Sequence, residues 1–208
     1  MNNPPTILII GADGYGQVVA DILLAQPCRP AGKMRPVGFI DDNSNRHNNH
    51  FAKLPTLGTL RDLALIPHDG VIVAVEHNQA RQQLIERLLW QGEWLVTIIH
   101  PAAVIGTGVT VGAGTIIGPG AVVNTGVGIG RGVIIKANST IDHHTWLGDF
   151  VSVGPGAQLC AHGRIGPGTI IGAAAIVTPG RNIAARSMVP HGCIVNHDVG
   201  MPAYLLAG

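Results

Sequence analysis

The sequence predicts two architectures in one chain: a small α/β domain over residues 1–98 and a parallel β-helix over residues 99–208. Three observations carry this. Short apolar, β-rich runs alternate with helical stretches up to residue 98. From Ile99 onward an aliphatic residue recurs at every sixth position without insertion. Charge divides at the same place, with 17 Asp, Glu, Lys and Arg in residues 1–98 and 7 in residues 99–195.

In the first part, "TILIIG" (6–11) reads as a strand and "QVVADILLAQ" (17–26) as a helix. "PVGFIDD" (36–42) is a second strand ending in acids, and "VIVAV" (71–75) is a third. A helix through "NQARQQLIERLLWQ" (78–91) and a last strand in "WLVTIIH" (94–100) follow. Strands alternating with helices imply a small parallel sheet covered by helices. The polar stretch "DDNSNRHNNHFAK" (41–53) reads as a loop, with His47 and His50 as solvated side chains rather than ligands.

The second part steps from Ile99 through Ile105, Val111, Ile117, Val123, Ile129, Ile135, Ile141 and Leu147. It continues through Val153, Leu159, Ile165, Ile171, Val177, Ile183, Val189 and Val195. Glycine often follows the aliphatic residue, and a small residue often stands four places after it, as at Thr115, Ala121, Ser139, Thr145 and Ala157. Neither a 3.6-residue helix nor a period-2 strand gives a six-residue repeat. A chain that turns a corner every six residues does, and its stacked coils bury one apolar column. So few charges on the outward positions point to a face covered by another subunit, although tight corners also select small residues.

Composition narrows the function. A formal charge of +1 and an isoelectric point near 7.9 give no basic face of the kind nucleic-acid binders carry. Three cysteines (Cys28, Cys160 and Cys193), without a C-x-x-C, fit a reduced, cytoplasmic protein better than a disulfide framework or a zinc site. The N-terminus lacks a cationic leader, and no apolar run reaches membrane-spanning length.

Two stretches carry candidate chemistry. "STIDHHTWLGD" (139–149) sets His143 and His144 beside Asp142, near a corner of the coil. Consecutive side chains of an extended backbone point to opposite sides, so the pair is not expected to chelate one ion. No Cys, His or Asp spacing nearby completes a site; no metal is expected. The stretch reads either as a reactive imidazole or as surface histidines. "GADGYG" (11–16) joins the first strand to the first helix: Gly11, Asp13, Gly14, Tyr15 and Gly16 form a turn whose backbone admits close approach, and a helix N-terminus favours phosphate. Asp41 and Asp42 close the second strand, where they can receive ribose or base donors. A simple strand-to-helix turn and a dinucleotide site are the competing readings, and about four strands are too few for a full dinucleotide fold.

These stretches resemble the hexapeptide-repeat acetyltransferases of the nucleotide-amino-sugar N-acetyltransferase and sialic acid O-acetyltransferase group (bacillosamine- and perosamine-type). "NSTIDHHTWLGD" is similar to the group's I-E-H-[ED]-x-x-I-G, with His144 where a carboxylate is usual. "GADGYG" and "FIDD" match its Rossmann-like nucleotide-sugar domain, with Tyr15 where histidine is common. "VAVEHNQAR" resembles I-A-I-G-N-N-x-x-R, and "IHPAAVIG" stands at the junction. The resemblance implies a left-handed, three-sided coil of eighteen residues per turn and a homotrimer. It implies transfer of acetyl from acetyl-CoA to a UDP- or GDP-linked deoxy-amino sugar in surface-glycan synthesis. His143 is then the general base, with His144 and Asp142 beside it. Gly11, Asp13, Gly14, Tyr15, Gly16, Asp41, Asp42, Asn78 and Arg81 are acceptor contacts. Ser152, Gly154, Gly172, Ala173 and Arg181 are the coenzyme contacts, Arg181 or Arg186 meeting the phosphate because Tyr204 replaces the group's C-terminal cation. A sialic acid O-acetyltransferase and a non-catalytic nucleotide-sugar binder are the alternatives. A metal-dependent hydrolase on the same coil, of the carbonic anhydrase type, would need three histidines at spacings absent from this sequence.

Overall fold

The computed structural model describes residues 3–26, 34–46, 50–51 and 53–200. His47, Cys28 and Tyr204 lie outside the described residues. The chain divides into two compact units, Met1–Pro101 and Ala102–Gly208.

In the first unit the strands are β1 (Thr6–Ile10), β2 (Arg35–Ile40), β3 (His50–Phe51), β4 (Leu54–Gly58) and β5 (Gly70–Val73). The helices are α1 (Gly14–Ala25) and α2 (Asn78–Trp90). The sheet order is β3-β4-β2-β1-β5. β1, β2, β4 and β5 are parallel, and β3 pairs antiparallel with β4. Parallel strands covered on both faces read as continuous apolar runs: Ile7, Leu8, Ile9, Val71, Ile72 and Val73 are fully buried. α1 contributes Val19, Ile22 and Leu23 to this core, and α2 contributes Ile85 and Leu88.

Two expectations change. The stretch expected as loop, 41–53, holds a short 3-10 turn (Ser44–Arg46) and the edge strand β3. β4 carries too little apolar alternation to be read from sequence, and it forms because β2 offers it an open edge. The strand expected over 94–100 is reduced to a bridge from Leu95 to Val71 and the two residues Ile98–Ile99.

In the second unit, two-residue rungs pair in parallel with the rung eighteen residues on, as in Val123 with Ile141 and Ile141 with Leu159. Three rungs complete a coil, so the rungs stack into three parallel sheets. From Ile117 on, every aliphatic of the six-residue staircase is at most 5% exposed. The small residues four places later are buried too, and their hydroxyls close the corners: Thr115 donates to Gly130 O (2.9 Å) and Thr145 to Cys160 O (3.0 Å). Between them runs a third column. Fifteen residues at strict six-residue spacing, from Gly108 to Gly192, have positive φ, and six of them are not glycine: Asn138, His144, Phe150, His162, Ala174 and Arg186. A left-handed residue at each of these fifteen corners turns the chain.

Candidate active site

His143 and His144 form the turn between the rungs Thr140–Ile141 and Trp146–Leu147. Alternation of side chains fails here. His144 has φ 57°, so the backbone reverses and both imidazoles leave on the same side. Their Nδ1 atoms are 3.1 Å apart and their rings meet edge-on, with centroids 5.3 Å apart. The expectation that the pair diverges is therefore corrected, and with it the ground on which a metal was dismissed. His143 is half-buried and His144 exposed.

A third imidazole joins them. His162 lies eighteen residues after His144, at the same corner one coil on, and also has positive φ (62°). Its ring stacks on His144 (5.4 Å, 16°) and stands edge-on to His143 (5.0 Å). One nitrogen from each of the three lies within 4.8 Å of the others. Sequence reading missed His162, although adding one coil to His144 reaches it.

Asp142 bonds to the backbone of the turn and to Asn124, one coil earlier: its Oδ1 accepts the backbone N–H of His143 (2.8 Å) and the amide of Asn124 (2.9 Å). The Asn124 bond, with the His143 amide next, holds its carboxyl below the usual range. Asp142 thus fixes the turn and supplies a negative charge beside it.

The expected coenzyme residues fall on two corners. Ser152, Gly154, Gly172 and Ala173 stand on or just after the paired rungs Ser152–Val153 and Ile170–Ile171. The Ala173 amide donates to His191 Nδ1 (2.8 Å). Arg181 lies at the histidine corner, one coil beyond His162, loosely paired with Asp198 at 3.9 Å. Cys160 and Cys193 are free thiols.

In the first unit a cavity of about 270 Å³ opens at the carboxyl ends of β1, β2 and β5, where open α/β sheets bind ligands. Gly11, Asp13, Asp41 and Asp42 line it, as do Arg46, Leu60, Val75 and Leu84, which sequence reading did not pick out. Asp41 accepts Ala12 N–H (2.8 Å) and is ion-paired with Arg46 (2.7 Å). Burial alone would raise its pKa, but the bonds from Ala12, Arg46 and Asn43 outweigh it and keep the carboxyl low. Asp42 accepts Leu60 N–H (2.9 Å).

Gly14, Tyr15, Gly16, Asn78 and Arg81 are not on the cavity wall. Asp13 caps α1 by accepting the amides of Tyr15 (3.0 Å) and Gly16 (3.1 Å), so those two donors are already engaged. Gly16 has no room for a side chain, because a Cβ would collide with Gly11 O. Burial pushes the Tyr15 phenol well up. Arg81 is fully buried, its guanidinium donating to Val75 O (2.9 Å), Glu76 O (2.8 Å) and Asn78 Oδ1 (2.8 Å). Desolvation lowers it to about 10. Arg81 and Asn78 thereby shape the β5–α2 connection that borders the cavity.

Residues 6–88 match the PglD N-terminal domain family. The chain is 29% identical over 151 residues to the GDP-perosamine N-acetyltransferase of Escherichia coli O157:H7, a match covering 72% of this chain and 67% of that enzyme. It superposes on the acetyltransferase domain of PglB from Neisseria gonorrhoeae, solved with acetyl coenzyme A, with TM-score 0.88 and 29% identity, over 98% of this chain and 100% of that one. PerB from Caulobacter crescentus, solved with CoA and GDP-perosamine, gives TM-score 0.85 and 28% identity over 93% and 90%.

Proposed function

We propose that the chain is a hexapeptide-repeat acetyltransferase whose α/β part is a PglD N-terminal domain, and that it moves acetyl from acetyl-CoA onto the amino group of a nucleotide-linked deoxy-amino sugar; the matches to that domain and to the N-acetyltransferases support this. The observation that carries this is the imidazole pair of His143 and His144 at an accessible corner of the coil.

Only one of the two hydrogens compatible with the 3.1 Å contact makes His143 a base. His143 must donate through Nδ1–H to the lone pair of His144 Nδ1, which leaves its own Nε2 unprotonated. His144 then does what the relatives' carboxylate would do, holding ring and tautomer. Imidazole suits the task because one ring nitrogen can donate while the other keeps its lone pair. His143 Nε2 takes the amine proton as the nitrogen attacks the thioester carbonyl, and returns it to the departing thiolate as the amide forms. A backbone N–H of the glycine-rich corners faces the developing oxyanion. The cavity bounded by Gly11, Asp13, Asp41 and Asp42 receives the nucleotide, with the acids as acceptors for its ribose or base.

The enzyme works as a homotrimer in the cytoplasm. Exposed apolar residues on outward rungs, among them Val104 (60%), Trp146 (44%) and Ile194 (61%), support the assembly, and the free thiols of Cys160 and Cys193 support the compartment. In a trimer, the corner bearing Ser152, Gly154, Gly172 and Ala173 in one copy can face the histidine corner bearing Arg181 in a neighbour, so that coenzyme lies along the seam. The acceptor class is tested by incubating the protein with acetyl-CoA and GDP-perosamine, a UDP-linked amino sugar or a sialic acid, and separating the products. Acetylated nucleotide sugar is expected; acetylated sialic acid alone would replace the N-acetyltransferase reading with O-acetylation.

A further inference from the structure

We propose that His143, His144 and His162 also bind a divalent first-row transition-metal ion of the zinc type, and that its binding switches acetyl transfer off. The inhibition rests on the base assigned above; the binding does not.

Geometry comes first. Zinc held by imidazole at about 2.0–2.1 Å in a tetrahedron spaces its nitrogens by about 3.4 Å. The two Nδ1 atoms of His143 and His144 already stand 3.1 Å apart, and one nitrogen from each of the three rings lies within 4.8 Å of the others. Small side-chain rotations close the remainder. Three imidazoles without a carboxylate in the set suit zinc, nickel, copper or cobalt, not magnesium or calcium. The fourth position lies on the outer side of the coil, because His144 and His162 are exposed within the chain.

The frame under the cluster is rigid. His144 N–H donates to Thr125 O (3.1 Å), and His162 N–H donates to His143 O (3.1 Å), so successive coils hold the three Cα positions. The repeat did not require histidine there. The same corner column carries Gly108, Gly126 and Gly180 at positive φ, whereas His144 and His162 adopt that conformation with full side chains. A β-carbon in the left-handed region is strained, and two in succession are a kind of strain that gathers at working sites. The ionised Asp142 next to His143 offsets part of the added positive charge.

The consequence follows from proton bookkeeping. The base form of His143 carries its hydrogen on Nδ1 and its lone pair on Nε2. A cation bridging both Nδ1 atoms needs the Nδ1 lone pair, so the hydrogen moves to Nε2. The ring stays neutral, no redox change or leaving group is involved, and Nε2 can no longer accept the amine proton.

The test uses tag-free full-length protein, stripped with chelator and titrated with Co²⁺. Visible d–d absorption saturating near one equivalent per chain is expected. His162→Asn, which keeps a residue tolerant of positive φ, should weaken that binding by about tenfold or more, since loss of even an outer partner of a ligand typically costs 10–100-fold. Zn²⁺ should inhibit transfer reversibly, with product followed by chromatography because free thiol itself binds zinc. The ratio of rates with and without zinc, taken within each variant, should move toward one in His162→Asn. A cobalt spectrum no different from the aqueous ion, or equal binding by His162→Asn, overturns the site. Zinc that binds but accelerates transfer overturns the switch. Cobalt binding by a protein that acetylates no acceptor leaves the metal site standing and removes the enzymatic reading instead.

Discussion

In the proposed mechanism His143 is the base and His144 its orienting partner. If His144 orients His143 by accepting from its Nδ1, a carboxylate should serve at least as well, because a bond to a charged group contributes about 1.5–3 kcal/mol against about 1 for a neutral one. His144→Asp, which tolerates positive φ, should therefore keep or raise kcat. His144→Ala should lower it by roughly tenfold, the equivalent of one neutral bond. Steady-state rates of the two variants check this, and equal loss in both would remove the orienting role. Asp41 makes a prediction in pH. Its folded pKa lies below the usual value through the bonds from Ala12, Arg46 and Asn43, which overcome the burial that raises it. Its ionised form therefore stabilises the fold above the ordinary carboxylate range, and that contribution disappears as pH falls through the lowered value. The Tm gap between the wild type and Asp41→Asn should be widest near neutrality and shrink below about pH 4. A gap that widens in acid would contradict the sign.

At the scale of elements, two glycines two residues apart do different work. A Cβ on Gly154 would lie 2.5 Å from Ala173 N of the next coil, while Gly156 has φ +67° and open space around it. Gly154 is thus a matter of coil spacing, and Gly156 one of backbone handedness. Gly154→Ala and Gly154→Asn should both lose roughly 1–3 kcal/mol through overpacking. Gly156→Ala should lose about 1–2 kcal/mol, and Gly156→Asn much less, because Asn enters the left-handed region readily. Thermal melts of the four variants give the order, and rescue by Asn at position 154 would contradict it. The coil was legible because every sixth side chain is buried, a demand that repeats along the chain and leaves a visible column. The histidine cluster was legible only in part. His143 stands in a recognisable motif, but its partners depend on the positive φ of His144 and on the eighteen-residue step to His162, neither of which a reading of adjacent residues captures. Arg81 is a similar case: its spacing matched a substrate contact, while tertiary packing turned its guanidinium onto Val75, Glu76 and Asn78.

For the whole molecule, the proposed trimer is what would let the two corners assigned to coenzyme meet. Light scattering should give a mass of about 65 kDa for the 21.6 kDa chain, and a monomer at micromolar concentration would leave Ser152 and Arg181 on separate corners with no shared seam. The most direct measurement is the rate of acetyl transfer to GDP-perosamine by the wild type and His143→Ala, at equal concentration and with melting curves confirming that both are folded. Acceptor-dependent transfer by the wild type, reduced by roughly 10²–10⁴ in the variant, is the predicted result. A folded His143→Ala protein that transfers acetyl at the wild-type rate would contradict it.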